Sequence, residues 1–164
     1  MNILKTGPKF IQGFFQTKKL IAHKPEVLEL RAAGKIEEEK EAIRKALKEW
    51  VEGISKKYDF TYEVVGWENM PEASPFMIYS NHQGFADIAA TLWIVKDRYP
   101  LSYVAKEEWR KYKTLRDVIE LPRSIFLVRD NAKEAIRALT EARELLDQGF
   151  PLLIFPEGTR SRRH

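Results

Sequence analysis

A chain of 164 residues, 44% hydrophobic and 32% charged, has the length and composition of one globular domain with a buried core. It has no cysteine, which excludes disulfides, thiolate nucleophiles and cysteine-ligated metals and is compatible with a reducing, cytoplasmic setting. Its three histidines, His23, His82 and His164, are too scattered for a metal site. A net charge of +4 without a basic stripe interleaved with aromatics argues against nucleic acid, no stretch is long and apolar enough to span a bilayer, and no secretory signal opens the chain.

From Met1 to Lys24 the only charged side chains are lysines, and Phe10, Ile11, Phe14 and Phe15 lie between them. Two readings stay open: a helical arm lying on an anionic membrane surface, or a helix packing its aromatic face on the domain. Residues 26–40 are dense in mixed charge. From Ile36, the spacing of Ile43, Leu47, Trp50, Val51, Ile54 and Tyr58 predicts a helix with one apolar face and a solvated charged side. Phe60, Tyr62 and Val64 alternate with Thr61, Glu63 and Val65, which predicts a half-exposed strand ended by Gly66. The boundary expected here separates an N-terminal helical part, 1–58, from an α/β domain, 59–164.

After a turn-rich linker between Pro71 and Pro75, the apolar run Phe76-Met77-Ile78-Tyr79 predicts a buried strand. Ser80-Asn81-His82-Gln83-Gly84-Phe85-Ala86-Asp87 follows, with Asp87 opening a helix through Ile88, Leu92, Trp93 and Val95. A carboxylate near a helix start is stabilised in its charged form and can accept a bond from one imidazole nitrogen, leaving the other to take a substrate proton. Taken alone, such a pair more often describes a solvated histidine beside a capping aspartate.

The rest of the chain repeats one theme, an apolar run of strand length followed by a polar cluster. Leu101–Ala105 leads into Lys106-Glu107-Glu108, Ile125–Val128 into Arg129-Asp130, and Leu152–Phe155 into Pro156-Glu157-Gly158-Thr159-Arg160. Before the last run, Ala132, Ala135, Ile136, Leu139, Ala142, Leu145 and Leu146 predict one helix face, with Asn131 and Glu134 as a capping pair and Gly149 and Pro151 as the stop. The alternation predicts an α/β fold, a largely parallel central sheet with flanking helices. In such a sheet ligands bind at the carboxyl ends of the strands. His82, Lys106, Arg129 and the Glu157–Arg160 turn would then share one rim, suited to a hydroxyl on a phosphorylated or otherwise anionic substrate. That convergence favours His82 as a base.

Pro156 and Gly158 suit a tight turn, Gly158 and Thr159 offer N–H and hydroxyl groups, and Arg160 offers a charged fork for phosphate oxygens. These residues, with Asn81-His82 and Asp87, Val104-Ala105-Lys106-Glu107 and Ile125-Phe126-Leu127-Val128-Arg129, resemble in order and spacing the glycerolipid acyltransferase family typified by 1-acylglycerol-3-phosphate (lysophosphatidic acid) acyltransferase. The resemblance covers roughly residues 64–162. It implies that His82, oriented by Asp87, deprotonates the sn-2 hydroxyl of lysophosphatidate for attack on acyl-CoA or acyl-carrier protein, giving phosphatidic acid. No metal or further cofactor is implied. Arg129, Arg160 and Lys106 would grip the phosphate, and Glu157, Gly158 and Thr159 would shape the turn. The implied setting is peripheral, at the cytoplasmic face of an anionic membrane.

There are two departures. Arg123 stands where the family often has glycine, six residues before Arg129. The chain ends at His164, short of the family's later strands, so a C-terminally incomplete catalytic fold is expected. The alternatives are another glycerol-phosphate or lysophospholipid acceptor, or a lipid-binding fragment without turnover.

Overall fold

The computed structural model describes residues 16–128 and 131–158. The N-terminal aromatic segment, Arg129, Thr159 and Arg160 lie outside the described residues. Helical residues 16–22 (α1) lead into α2 (Lys24–Ala32), and Gly34, at φ +68°, turns the chain into α3 (Ile36–Tyr58). The predicted apolar face of α3 is buried, with Ile43 and Val51 fully enclosed.

The charged side of α3 is not simply solvated, because Glu39 has no exposed surface. Arg31 Nε donates to its carboxylate at 2.7 Å, and Arg123 donates through Nε at 2.8 Å and a terminal nitrogen at 2.5 Å. Burial alone would raise the Glu39 carboxyl, but the bonds from Arg123 and Arg31 outweigh it and hold the group below its ordinary range. Arg123 itself adopts φ +58°. The left-handed backbone that glycine would supply is thus kept, and the buried carboxylate anchors the side chain that occupies it.

No strand forms at residues 60–65. The alternation is used for packing instead: Phe60 stacks on Tyr58, Tyr62 stacks on Trp93 with ring centroids 4.8 Å apart, and Tyr62 bonds Ser55 through its hydroxyl at 2.9 Å. The aromatic face is satisfied by helices and no neighbouring strand pairs with the backbone, so a period of two does not become a sheet.

The sheet has four strands, β1 (Met77–Tyr79), β2 (Ser102–Lys106), β3 (Ile125–Leu127) and β4 (Leu152–Ile154), in the order β1-β4-β2-β3, all parallel. Between them lie α4 (Phe85–Val95), a 3-10 segment (Glu107–Lys111) leading into α5 (Lys113–Glu120), and α6 (Ala132–Asp147). Consecutive Leu152 and Leu153 are both fully buried, so β4 is covered on both faces, as the uninterrupted apolar run of a parallel strand requires. The steps β1 to β2 and β3 to β4 run in opposite directions across the sheet, so crossovers of the usual right hand set α4 and α6 on opposite faces. The cores under α3, α4 and the sheet form one cluster.

α6 differs in detail from its predicted face. Asn131 caps it by accepting from the backbone N–H groups of Lys133 and Glu134, and Ala138, Ala142 and Leu145 are buried. Ile136 and Leu139, however, are 65% and 70% exposed. The helix packs on β3 and β4, and with two alanines and one leucine forming its buried stripe, the bulkier pair is left on its outer flank.

α2 and α5 are tied by ions. Lys113 at 2.8 Å and Lys24 at 2.7 Å hold the buried Asp117 carboxyl at about 2, against an ordinary 3.8. Because the group is more acidic folded than unfolded, its contribution, about 2 kcal/mol or less with Lys113 in solvent, is complete above about pH 4 and is lost as pH falls through about 2. Urea midpoints measured across that window should fall more steeply in the wild type than in Asp117→Asn. Identical pH profiles would contradict the assignment.

Candidate active site

The register Tyr79↔Ile154 and the bond from Ser80 N–H to the Ile154 carbonyl, 3.2 Å, bring the loop leaving β1 alongside the end of β4. The His82 ring consequently stacks on Phe155, with centroids 4.1 Å apart and planes at 21°. Asp87 is the third residue of α4 and reaches back over the loop. One oxygen, Oδ2, accepts from Gln83 N–H at 2.6 Å, Gly84 N–H at 2.8 Å and His82 Nδ1 at 2.8 Å. This is the returning half of a capping box, since Gly84 has no side chain to reciprocate.

Partial burial works to raise the Asp87 carboxyl, but the bonds from Gly84, Gln83 and His82 outweigh it and keep the carboxyl below its ordinary value. The helix N-terminus acts in the same direction. An ionised carboxylate only accepts, so Nδ1 carries the imidazole proton and Nε2 presents a lone pair. Among the described residues Nε2 has no hydrogen-bond partner, and the His82 side chain keeps 21% of its surface in solvent. An imidazole held by one nitrogen and open at the other can take a proton from an incoming hydroxyl.

Three further predicted residues fall on the same rim. Lys106 ends β2, is 39% exposed and lies 3.6 Å from the Glu108 carboxylate. Glu157 is exposed just beyond β4. Gly158 takes φ +62° and closes a turn by donating its N–H to the Phe155 carbonyl at 2.9 Å. The described contacts join His82 to Asp87 and Phe155 only; Lys106, Glu157 and Gly158 share the rim through the strand ends. Phe155 is the residue sequence reasoning missed. Its place against His82 follows from β1 and β4 being neighbours, which nothing in the spacing reveals.

Two cavities, of about 470 Å³ beside Phe126 and Arg110 and about 430 Å³ beside Phe76 and Leu139, lie apart from this loop; neither is lined by His82 or Asp87. Among the described residues no group of three or more His, Cys, Asp or Glu side chains could hold a metal, and no helix is long and apolar enough to cross a membrane.

The acyltransferase family model matches residues 61–164, more than half of the chain and all of the rim. The chain belongs to the acyltransferase family. Among similar proteins, a 1-acyl-sn-glycerol-3-phosphate acyltransferase of Pseudomonas aeruginosa is 37% identical over 100 residues, covering 60% of this chain and 37% of that protein. A Chlamydomonas reinhardtii protein of the same name is 29% identical over 99 residues, covering 60% of this chain and 29% of its own length. The crystal structure of the 1-acyl-sn-glycerophosphate (LPA) acyltransferase PlsC from Thermotoga maritima superposes with a TM-score of 0.61 at 27% identity, covering 93% of this chain and 64% of that one. This acyltransferase chain therefore spans about a third of those curated relatives and under two thirds of the solved one, and shares the fold of the latter across α-helical and sheet parts alike.

Proposed function

We propose that the chain transfers a fatty acyl group from a thioester, acyl-CoA or acyl-carrier protein, to the sn-2 hydroxyl of 1-acylglycerol 3-phosphate, yielding phosphatidic acid. The observation that carries this reading is the His82 Nδ1 to Asp87 Oδ2 bond of 2.8 Å, which leaves Nε2 without a hydrogen-bond partner among the described residues and available to an acceptor hydroxyl. Nε2 takes the hydroxyl proton as the oxygen attacks the thioester carbonyl. Asp87 stabilises the imidazolium that results. The tetrahedral intermediate then expels the thiolate, which receives the proton from His82. Every proton is returned within the cycle and no acyl-enzyme is formed.

Base catalysis of this kind contributes on the order of a hundredfold to ten-thousandfold, and holding hydroxyl and carbonyl together supplies much of the rest. Arg129, Arg160 and Lys106 bind the acceptor phosphate in this reading, and Glu157, Gly158 and Thr159 shape the turn that admits it. The names of the relatives support the acceptor class. The reaction takes place at the cytoplasmic face of an anionic membrane, where acceptor and product are both lipids.

Asp87→Asn tests the base. An asparagine whose amide oxygen keeps the Gln83 and Gly84 N–H bonds still accepts from Nδ1, but it carries no negative charge to stabilise the imidazolium that forms at His82. The expected result is a fall in kcat on the order of a hundredfold to ten-thousandfold with the donor KM little changed. Steady-state kinetics showing wild-type kcat would remove Asp87 from the mechanism.

A further inference from the structure

One exposed surface on the same rim has no part in the chemistry above. β2 ends at Lys106 and the chain turns through Glu107–Lys111 into α5, and every residue from 108 to 115 is exposed. Trp109, Tyr112 and Leu115 recur every third residue with 39%, 49% and 40% of their surface in solvent, and the rings of the first two stand 6.1 Å apart. Cations alternate with them: from 109 to 116 there are four lysines and arginines and no acidic residue. Arg110 is tied to Glu107 at 2.7 Å and Lys113 to Asp117 at 2.8 Å, but Lys111 has no carboxylate partner among the described residues and lies 5.0 Å from the Tyr112 ring centroid.

We propose that this corner seats the rim on an anionic lipid bilayer, Trp109, Tyr112 and Leu115 entering the headgroup boundary while Lys111 and its neighbours meet lipid phosphates. The inference rests on the acyltransferase reading only for the identity of the lipid substrates. Amphipathic aromatics with adjacent lysines favour the membrane–water interface, and the positive balance matches an anionic surface. The mixture of amphipathic rings and cations favours lipid headgroups over a protein partner of acidic character. Rings and cations intermixed over successive exposed positions suit insertion among headgroups, where each ring has an apolar body and a wet polar tip. β2 lies two strand spacings, about 10 Å, from β1, so a bilayer touching this corner lies close to the His82 loop.

The test uses the full chain, sedimented with phosphatidylcholine vesicles and with vesicles that also contain phosphatidylglycerol, beside Trp109→Ala/Tyr112→Ala and Lys111→Glu variants. Wild-type protein should bind the anionic vesicles, and the double variant should bind them about tenfold more weakly. Lys111→Glu should weaken binding most at low salt. Brominated acyl chains should quench wild-type fluorescence more than that of Trp109→Phe. Turnover of detergent-dispersed lysophosphatidate should be equal in all of them, and its absence in the wild type would count against the acyl-transfer reading while the vesicle data still decide the surface. Wild-type affinity in the double variant, failure of the wild type to bind anionic vesicles, or loss of affinity for an acidic acyl-carrier protein with vesicle binding intact would each overturn the proposal.

Discussion

Replacing His82 by alanine is expected to lower turnover by about a hundredfold to ten-thousandfold while the donor KM stays close to its original value. In the proposed mechanism the imidazole takes the hydroxyl proton through Nε2, and its loss would remove proton transfer without disturbing the rest of the rim. Asp87 keeps its bonds from Gln83 and Gly84, so the loop and the start of α4 stay anchored. The structural losses are the bond to Asp87 and the stack on Phe155, both at a partly solvated position. A thermal midpoint near that of the wild type, with product formation followed by chromatography of the lipid extract, separates the chemical effect from unfolding. Turnover close to wild type in the folded variant would transfer the role of base to another group.

The second large effect is on stability and comes from the opposite end of the sheet. Glu39→Ala should cost about 3 kcal/mol, because one fully buried carboxylate is the common partner of two largely buried guanidinium groups. Arg31 would retain its bond to the Leu121 carbonyl at 2.8 Å, but Arg123 would keep only Gln148, at 3.0 Å, and the Phe150 ring, 5.1 Å away. The φ of +58° at Arg123, a strain of roughly 1–2 kcal/mol for a residue with a side chain, would then have lost its main compensation. By contrast, the pair of Glu41 and Arg44 lies on the exposed face of the same helix, where removal of the acid should cost under about 1 kcal/mol. Urea unfolding of Glu39→Ala beside Glu41→Ala measures the difference directly. Equal midpoints would mean that the buried cluster does not hold the α2–α3 pair to the turn before β3.

These two sites also show which parts of the molecule were legible in the chain. His82 and Asp87 belong to one local loop and one helix start, and their five-residue spacing carries the geometry almost unaided. The parallel sheet was legible because four largely apolar runs of strand length, each closed by a polar cluster, leave little else for the backbone to do. Glu39 was not legible. Periodicity assigns a glutamate on a charged helix face to solvent, and Arg123, the partner that makes burial tolerable, is 84 residues away. Phe155 escaped for the same reason, since its contact with His82 depends on strand order. At residues 60–65 the alternation was real, but the aromatic side chains found helices and no strand came beside them. The eight residues of α5 lie in a charged stretch whose apolar side chains are too few to stand out.

The central claim is that His82 activates the acceptor hydroxyl for direct attack on the thioester. Release of free thiol from an acyl-CoA, followed with and without lysophosphatidate for this chain and for His82→Ala, tests it most directly. The predicted result is release that requires both the acceptor and His82. Release that proceeds without acceptor, or that persists undiminished in the variant, would contradict it.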